Sequence, residues 1–179
     1  MDYIPNRVHD FFVPISFEDK HDLVISSGKM RCTCSCEDFA IQYTGHLRKT
    51  LFGQIFIQAT ENGDLNITLT CRDCNKTLLL FDSRADGYNA IASRLDGLTY
   101  PPFKAPEDSV FENQPNTLSC VKCKTTYYRV KVKYEHADKA ETDTDYIEDY
   151  QSAFSWFVVD IECGTCAKKH RGFIDMELG

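Results

Sequence analysis

The sequence predicts a mainly β fold with small α content, built as antiparallel β modules in tandem, each tied by four cysteines. Three observations carry that expectation. Short C-x2-C pairs recur at Cys71/Cys74, Cys120/Cys123 and Cys163/Cys166, and "MRCTCSCEDF" adds Cys32, Cys34 and Cys36 at alternate positions. Stretches of alternating polarity lie between the clusters. Both halves also run in one order: thiol cluster, strands, C-x2-C, strand.

Residues 1–29 precede the first cluster, and "DFFVPISF" and "DLVIS" predict strands that extend its sheet. Asn62-Gly63 is a favoured turn pair between "IFIQAT" and "LNITLT", which predicts a hairpin. In its second strand Leu65, Ile67 and Leu69 point one way while Asn66, Thr68 and Thr70 point the other, as on a sheet with one covered face. "KTLLLFD" adds a strand after Cys74, and "ADGYNAIASRLDG" predicts a short helix ended by Gly97. Four prolines in "TYPPFKAPEDSVFENQPNT" break regular structure and mark a boundary. The predicted division is therefore 1–98, a β extension with the first module; 99–117, a linker; and 118–179, the second module.

In the second module Tyr128, Val130, Val132 and Tyr134 alternate with Tyr127, Arg129, Lys131 and Lys133. Phe157, Val159 and Ile161 mark the inward face of a return strand. Between them "EHADKAETDTDYIED", with seven acids and one lysine, reads as a solvated acidic insertion over 135–149.

Nine cysteines can form disulfides in a secreted chain, but odd parity and repeated short pairs favour reduced thiolates on a metal. The N-terminus carries acids where an export signal carries positive charge, and no apolar run approaches the roughly 20 residues that span a bilayer. The expectation is a cytoplasmic chain with no membrane contact.

A tetrahedral structural zinc needs four soft donors, and two C-x2-C turns brought together by strands supply them. Cys120, Cys123, Cys163 and Cys166 form one set without remainder. Cys71 and Cys74 form half of the other. Cys36 anchors its second half by analogy with Cys123, and the companion is Cys32 or Cys34. The ninth thiol is then a buried small residue or a reactive group.

This pattern resembles the zinc-ribbon group, in which cysteine knuckles on β-hairpins hold one structural zinc. The resemblance covers 32–82 and 118–176, and implies two Zn2+ ions per chain. It departs from the group's compactness, because 34 residues separate Cys36 from Cys71 and 39 separate Cys123 from Cys163. Ribbons serve transcription, translation and protein binding alike, so the resemblance speaks to structure more than to activity.

Four thiolates saturate a zinc ion and leave no place for activated water, which argues against an enzyme. His9, His21, His46, His136 and His170 form no metalloenzyme motif, and phosphate-binding and nucleophile-elbow motifs are absent. A net charge of -7 and a pI near 5.2 give no global attraction to nucleic acid. Locally, Tyr127, Arg129, Lys131 and Lys133 share a strand face, and Lys168, Lys169 and Arg171 follow the last cysteine pair. These are the candidate binding residues. The first expectation is a regulatory or adaptor protein that contacts another protein. Nucleic-acid binding through the basic strand is the alternative, and thiol redox chemistry comes last.

Overall fold

Strands dominate because β-branched and aromatic residues alternate with polar ones over most of the chain, giving each segment one face to bury. The computed structural model describes residues 3–20, 23–61, 63–95, 115–137 and 150–178. A 3-10 turn (Asn6–Phe11) leads into β1 (Phe12–Lys20) and β2 (Leu23–Met30). There follow β3 (Phe39–Tyr43), β4 (His46–Lys49), β5 (Ile55–Gln58), β6 (Asn66–Cys71) and β7 (Thr77–Asp82). The helix α1 (Tyr88–Leu95) precedes β8 (Asn116–Thr117), β9 (Tyr127–Ala137), β10 (Trp156–Cys163) and β11 (Lys169–Glu177). The predicted helix end at Gly97, most of the 99–117 linker and 138–149 of the acidic insertion lie outside the described residues.

One antiparallel sheet takes strands from both halves of the chain. β9 lies inside it, with β10 on one edge. Its other edge pairs first with β3, Phe39 opposite Tyr128, and then with β2, Lys29 opposite Lys131. β2 and β3 thus form one line along β9, interrupted by the loop that carries Cys32, Cys34 and Cys36. The neighbouring line repeats this arrangement. β8 and β9 both pair with β3, Gln42 opposite Thr117 and Ala40 opposite Tyr127, and the loop between them carries Cys120 and Cys123. Strands from the two halves of the chain are therefore joined edge to edge through β3 and β9.

The predicted hairpin forms a turn at Gly63 but not its pairing, and Asn62 itself lies outside the described residues. Thr60 N–H donates to Asp64 O at 3.0 Å, and the strands then part. β5 pairs with β4 in a separate two-stranded sheet, while β6 pairs with β3 and β7. The buried faces decide this. Leu65, Ile67 and Leu69 are at most 1% exposed over the main core. Ile55 and Ile57 are buried as well, on the hairpin that packs against β11.

Both halves contribute to one core. Phe81 stacks on Phe157 at 4.9 Å, and Tyr134 meets Phe154 edge-on at 5.0 Å. Each such fully buried side chain contributes about 1.5–3 kcal/mol. His136 is buried beside this cluster, edge-on to Tyr3 at 5.3 Å, and neither ring nitrogen has a well-formed hydrogen bond. Burial pulls its pKa down to about 4, against a weaker opposing pull from the Gln151 backbone. The folded state therefore holds fewer protons than the unfolded one between pH 4 and about 6.5, and stability falls as pH drops through that window. From pH 7 to pH 5 the part of the loss that His136 alone contributes is about 2 kcal/mol. Urea titrations at the two pH values check this, and His136→Leu should flatten the difference.

Candidate metal centres

Every knuckle starts where a strand of the sheet ends or breaks. In the Cys71 knuckle, Cys71 N–H donates to Lys76 O at 2.9 Å and Asn75 N–H donates to Cys71 O at 3.0 Å. The Cys120 knuckle repeats this, with Cys120 N–H on Thr125 O at 2.8 Å and Lys124 N–H on Cys120 O at 2.9 Å. So does the Cys163 knuckle, with Cys163 N–H on Lys168 O at 2.8 Å and Ala167 N–H on Cys163 O at 3.0 Å. The turn needs a left-handed residue directly after the second cysteine. Asn75 (φ 61), Lys124 (φ 64) and Ala167 (φ 55) supply it.

The fourth knuckle is one residue shorter. Cys32 N–H donates to Cys36 O at 2.8 Å, Ser35 N–H donates to Cys32 O at 2.7 Å, and Ser35 has φ 73. Ser35 thus takes the place of Asn75, Lys124 and Ala167, so Cys34 is the second sulfur of the turn. Cys36 occupies the closing position of Lys76, Thr125 and Lys168. Among the described residues these four left-handed positions include every non-glycine residue with positive φ. Left-handed backbone costs a residue with a Cβ about 1–2 kcal/mol, and glycine returns part of that through its own entropy. Ala167→Gly should accordingly stabilise the protein by about 0.5–1 kcal/mol, read as a rise in urea midpoint.

Two groups of four sulfurs result, Cys32/Cys34/Cys71/Cys74 and Cys120/Cys123/Cys163/Cys166, with all Sγ atoms of each group within 4.8 Å of one another. Cys32–Cys74 and Cys34–Cys71 approach to 3.4 and 3.5 Å, and Cys123–Cys163 and Cys120–Cys166 to 3.4 and 3.7 Å. A tetrahedral ion with metal–sulfur bonds of about 2.3 Å has sulfur–sulfur edges of about 3.8 Å. Both groups fit that donor shell. The first cysteine of each knuckle is buried in the core, while the second is exposed or half-buried.

Cys36 stands outside the first group, which corrects its place as anchor. The left-handed turn at Ser35 completes the knuckle before Cys36, whose side chain packs in the core, 8% exposed. Its thiol points at Asp38 O, 3.5 Å away. Cys36→Ala is therefore expected to keep two metal equivalents, and Cys34→Ala to lose one, by metal analysis of reduced protein. His46 lies on exposed β4, and buried His170 accepts a hydrogen bond from Ile55 N–H at its Nδ1. Neither joins a sulfur group.

Electrostatics within the clusters call for a cation. Burial resists ionisation of Cys120, but the amides of Cys123 and Lys122 and the thiols of Cys163 and Cys166 outweigh it, lowering its pKa to about 6. Burial pushes Cys163 up to about 12 despite the amides of Cys166 and Thr165. Cys32 is brought down to about 7 when its backbone and thiol partners overcome burial. One thiolate in a cluster thus opposes the ionisation of its neighbours, and a divalent ion removes that opposition.

The two clusters share one transverse row of the sheet. Cys163 lies opposite Tyr128, Tyr128 opposite Phe39, and Phe39 opposite Cys71. Three strand spacings of about 4.8 Å put the two cysteine backbones roughly 14 Å apart. The halves match in detail here. Arg72 N–H donates to Asp38 O at 3.1 Å, and Gly164 N–H donates to Tyr127 O at 3.0 Å. Asp38 also joins them, bonding Arg72 at 2.7 Å while its Oδ1 would lie 2.7 Å from any Cβ added at Gly164.

The predicted binding residues divide. Tyr127, Arg129, Lys131 and Lys133 do share the outer face of β9, and Arg72 lies 6.0 Å above the Tyr127 ring. Arg129 bonds Glu162 at 3.2 Å, Lys169 pairs with Glu162 at 3.3 Å and Lys133 pairs with Glu135. Lys131 faces Asp160 in register and makes no ion pair with a described residue. Lys168 instead donates to Gly53 O at 3.3 Å, far from that face in sequence, and exposed Arg171 makes no ion pair with a described residue. What sequence reasoning missed is the β4–β5 hairpin beside them. The signal was present: Leu51 and Phe52 sit in a turn where polar residues are usual.

Fold and site together define a mainly β protein with two four-cysteine groups able to hold metal ions. Comparison with known protein families, characterised proteins and solved structures gives no match.

Proposed function

We propose that the protein is a non-catalytic zinc-binding adaptor or regulatory protein, with two structural Zn2+ ions holding a β scaffold that contacts another protein. The observation that carries the reading is the pair of complete four-sulfur groups, each built on two knuckles. Zinc suits them because it accepts a tetrahedral all-thiolate shell and needs no redox chemistry. Four thiolates saturate the ion, which supports a structural role over a catalytic one. Two surface clefts, one beside Gln58 and one beside Thr68, bring neither histidine nor cysteine to their walls.

Protein contact is favoured over nucleic acid by the pairing of Arg129, Lys133 and Lys169 with acids, which leaves little free charge on the β9 face for phosphates. Native mass spectrometry of reduced protein, purified without added metal, tests the metal reading. About two zinc ions per chain are expected, and one or none would overturn it. Salt-sensitive binding of single-stranded nucleic acid, lost in an Arg129/Lys131/Lys133 triple alanine variant, would overturn the choice of protein over nucleic acid.

A further inference from the structure

Two turns in this protein have the same hydrogen-bond pattern and opposite chemistry. In TENGD, Gly63 N–H donates to Thr60 O at 2.9 Å and Asp64 N–H donates to Thr60 Oγ1 at 3.1 Å. In TLFGQ, Gly53 N–H donates to Thr50 O at 3.0 Å and Gln54 N–H donates to Thr50 Oγ1 at 3.1 Å. Glu61 serves this geometry at the position that Leu51 holds in the other turn, so nothing in it requires an apolar pair there. Yet Leu51 is 101% exposed and Phe52 is 94% exposed. Two large apolar side chains therefore stand side by side in water at the apex of an ordered turn, where desolvation would be favourable.

Cations ring the base of that apex. A Cβ at Gly53 would lie 3.9 Å from both Lys168 Nζ and Lys49 Cε, which places both side chains under the tip. Arg48 is on the same hairpin and hydrogen-bonds Gln58. None of Arg48, Lys49 and Lys168 forms an ion pair with a described residue, in contrast to the paired cations of the β9 face. The order from the apex inward is thus apolar, then cationic.

We propose that the Leu51–Phe52 tip of the β4–β5 hairpin inserts into an anionic lipid surface, with Arg48, Lys49 and Lys168 on its headgroups. A bilayer presents its charge outside its apolar layer, the complement of this tip. It also demands no matching flat face, and strand β4 behind the tip is exposed along its whole length. The chain's net charge of -7 does not forbid the contact, because charges further than a Debye length of about 8 Å are screened.

The test is co-sedimentation of the metal-loaded full chain with phosphatidylcholine vesicles containing about one-third phosphatidylserine. Binding is expected to weaken at least tenfold in the Leu51→Ser/Phe52→Ser variant, since burying each side chain is worth roughly ten- to a hundredfold in partition. A similar loss is expected for Arg48→Glu/Lys49→Glu, for pure phosphatidylcholine and for high salt. Both variants should keep the wild-type zinc content, which separates this proposal from the metal reading. No vesicle binding by wild type, or equal binding by the tip variant, overturns it. A photoreactive analogue in place of Phe52 that labels a protein and not lipid would assign the tip to a protein pocket, and so overturn it too.

Discussion

Cys163→Ser is expected to lower the zinc content from about two ions to about one and to cost at least 5 kcal/mol of stability. Structural zinc contributes apparent binding free energies of about 10–16 kcal/mol, comparable to or larger than the roughly 5–15 kcal/mol that stabilises a whole domain. Cys163 ends β10 and is 1% exposed, so serine there removes a ligand and leaves a hydroxyl in the core. The second knuckle, the end of β10 and the start of β11 should loosen. The Cys32/Cys34/Cys71/Cys74 group has its own two knuckles and is expected to keep its ion. Zinc analysis with urea unfolding followed by Trp156 fluorescence checks both parts. Two ions retained at unchanged stability would contradict the assignment.

Arg7→Ala is expected to destabilise the protein by about 3–5 kcal/mol, because it strands a buried carboxylate. The Asp86 side chain is 0% exposed, and Arg7 is its ion-pair partner. Asp82 N–H donates to the same carboxylate oxygen at 2.7 Å, while the other oxygen has no hydrogen-bond partner among the described residues. Burial raises the pKa of Asp86 even with Arg7 in place, so loss of the guanidinium leaves desolvation with far less to oppose it. Arg7 also donates to Leu79 O at 2.9 Å and reaches Leu80 O, covering the edge of β7 and tying the N-terminal turn to the sheet. In a double-mutant cycle Arg7→Met/Asp86→Leu should recover much of the loss, since the uncompensated charge is gone. A double variant as unstable as Arg7→Ala would show that the edge contacts, and not the charge, carry the effect.

The alternating stretches of the sequence told which faces are buried with few errors. Tyr128, Val130, Val132 and Tyr134 are all at most 2% exposed, as are Phe157, Val159 and Ile161. A period of two is a local property, legible wherever one sheet face meets the core. Pairing partners are not local. "IFIQAT" and "LNITLT" flank a good turn, yet each finds a better-matched buried surface elsewhere, so the turn survives and the hairpin does not.

The candidate site divides along the same line. Spacing alone identified Cys71, Cys74, Cys120, Cys123, Cys163 and Cys166, because a knuckle holds both of its sulfurs within a few residues of chain. Among Cys32, Cys34 and Cys36, the analogy with Cys123 put Cys36 in the site with Cys32 or Cys34 as its companion. The hydrogen bond from Cys32 N–H to Cys36 O and the left-handed Ser35 show instead that Cys32 and Cys34 are the pair.

The sequence by itself therefore determined most of the strands, their inward faces and three of the four thiol knuckles, since each depends on residues close together in the chain. Tertiary structure alone decided that the halves share one sheet, that Cys36 lies outside the sulfur group, and that Lys168 stands beneath Leu51 and Phe52. Those outcomes depend on which distant surfaces bury each other, a competition that no short segment encodes.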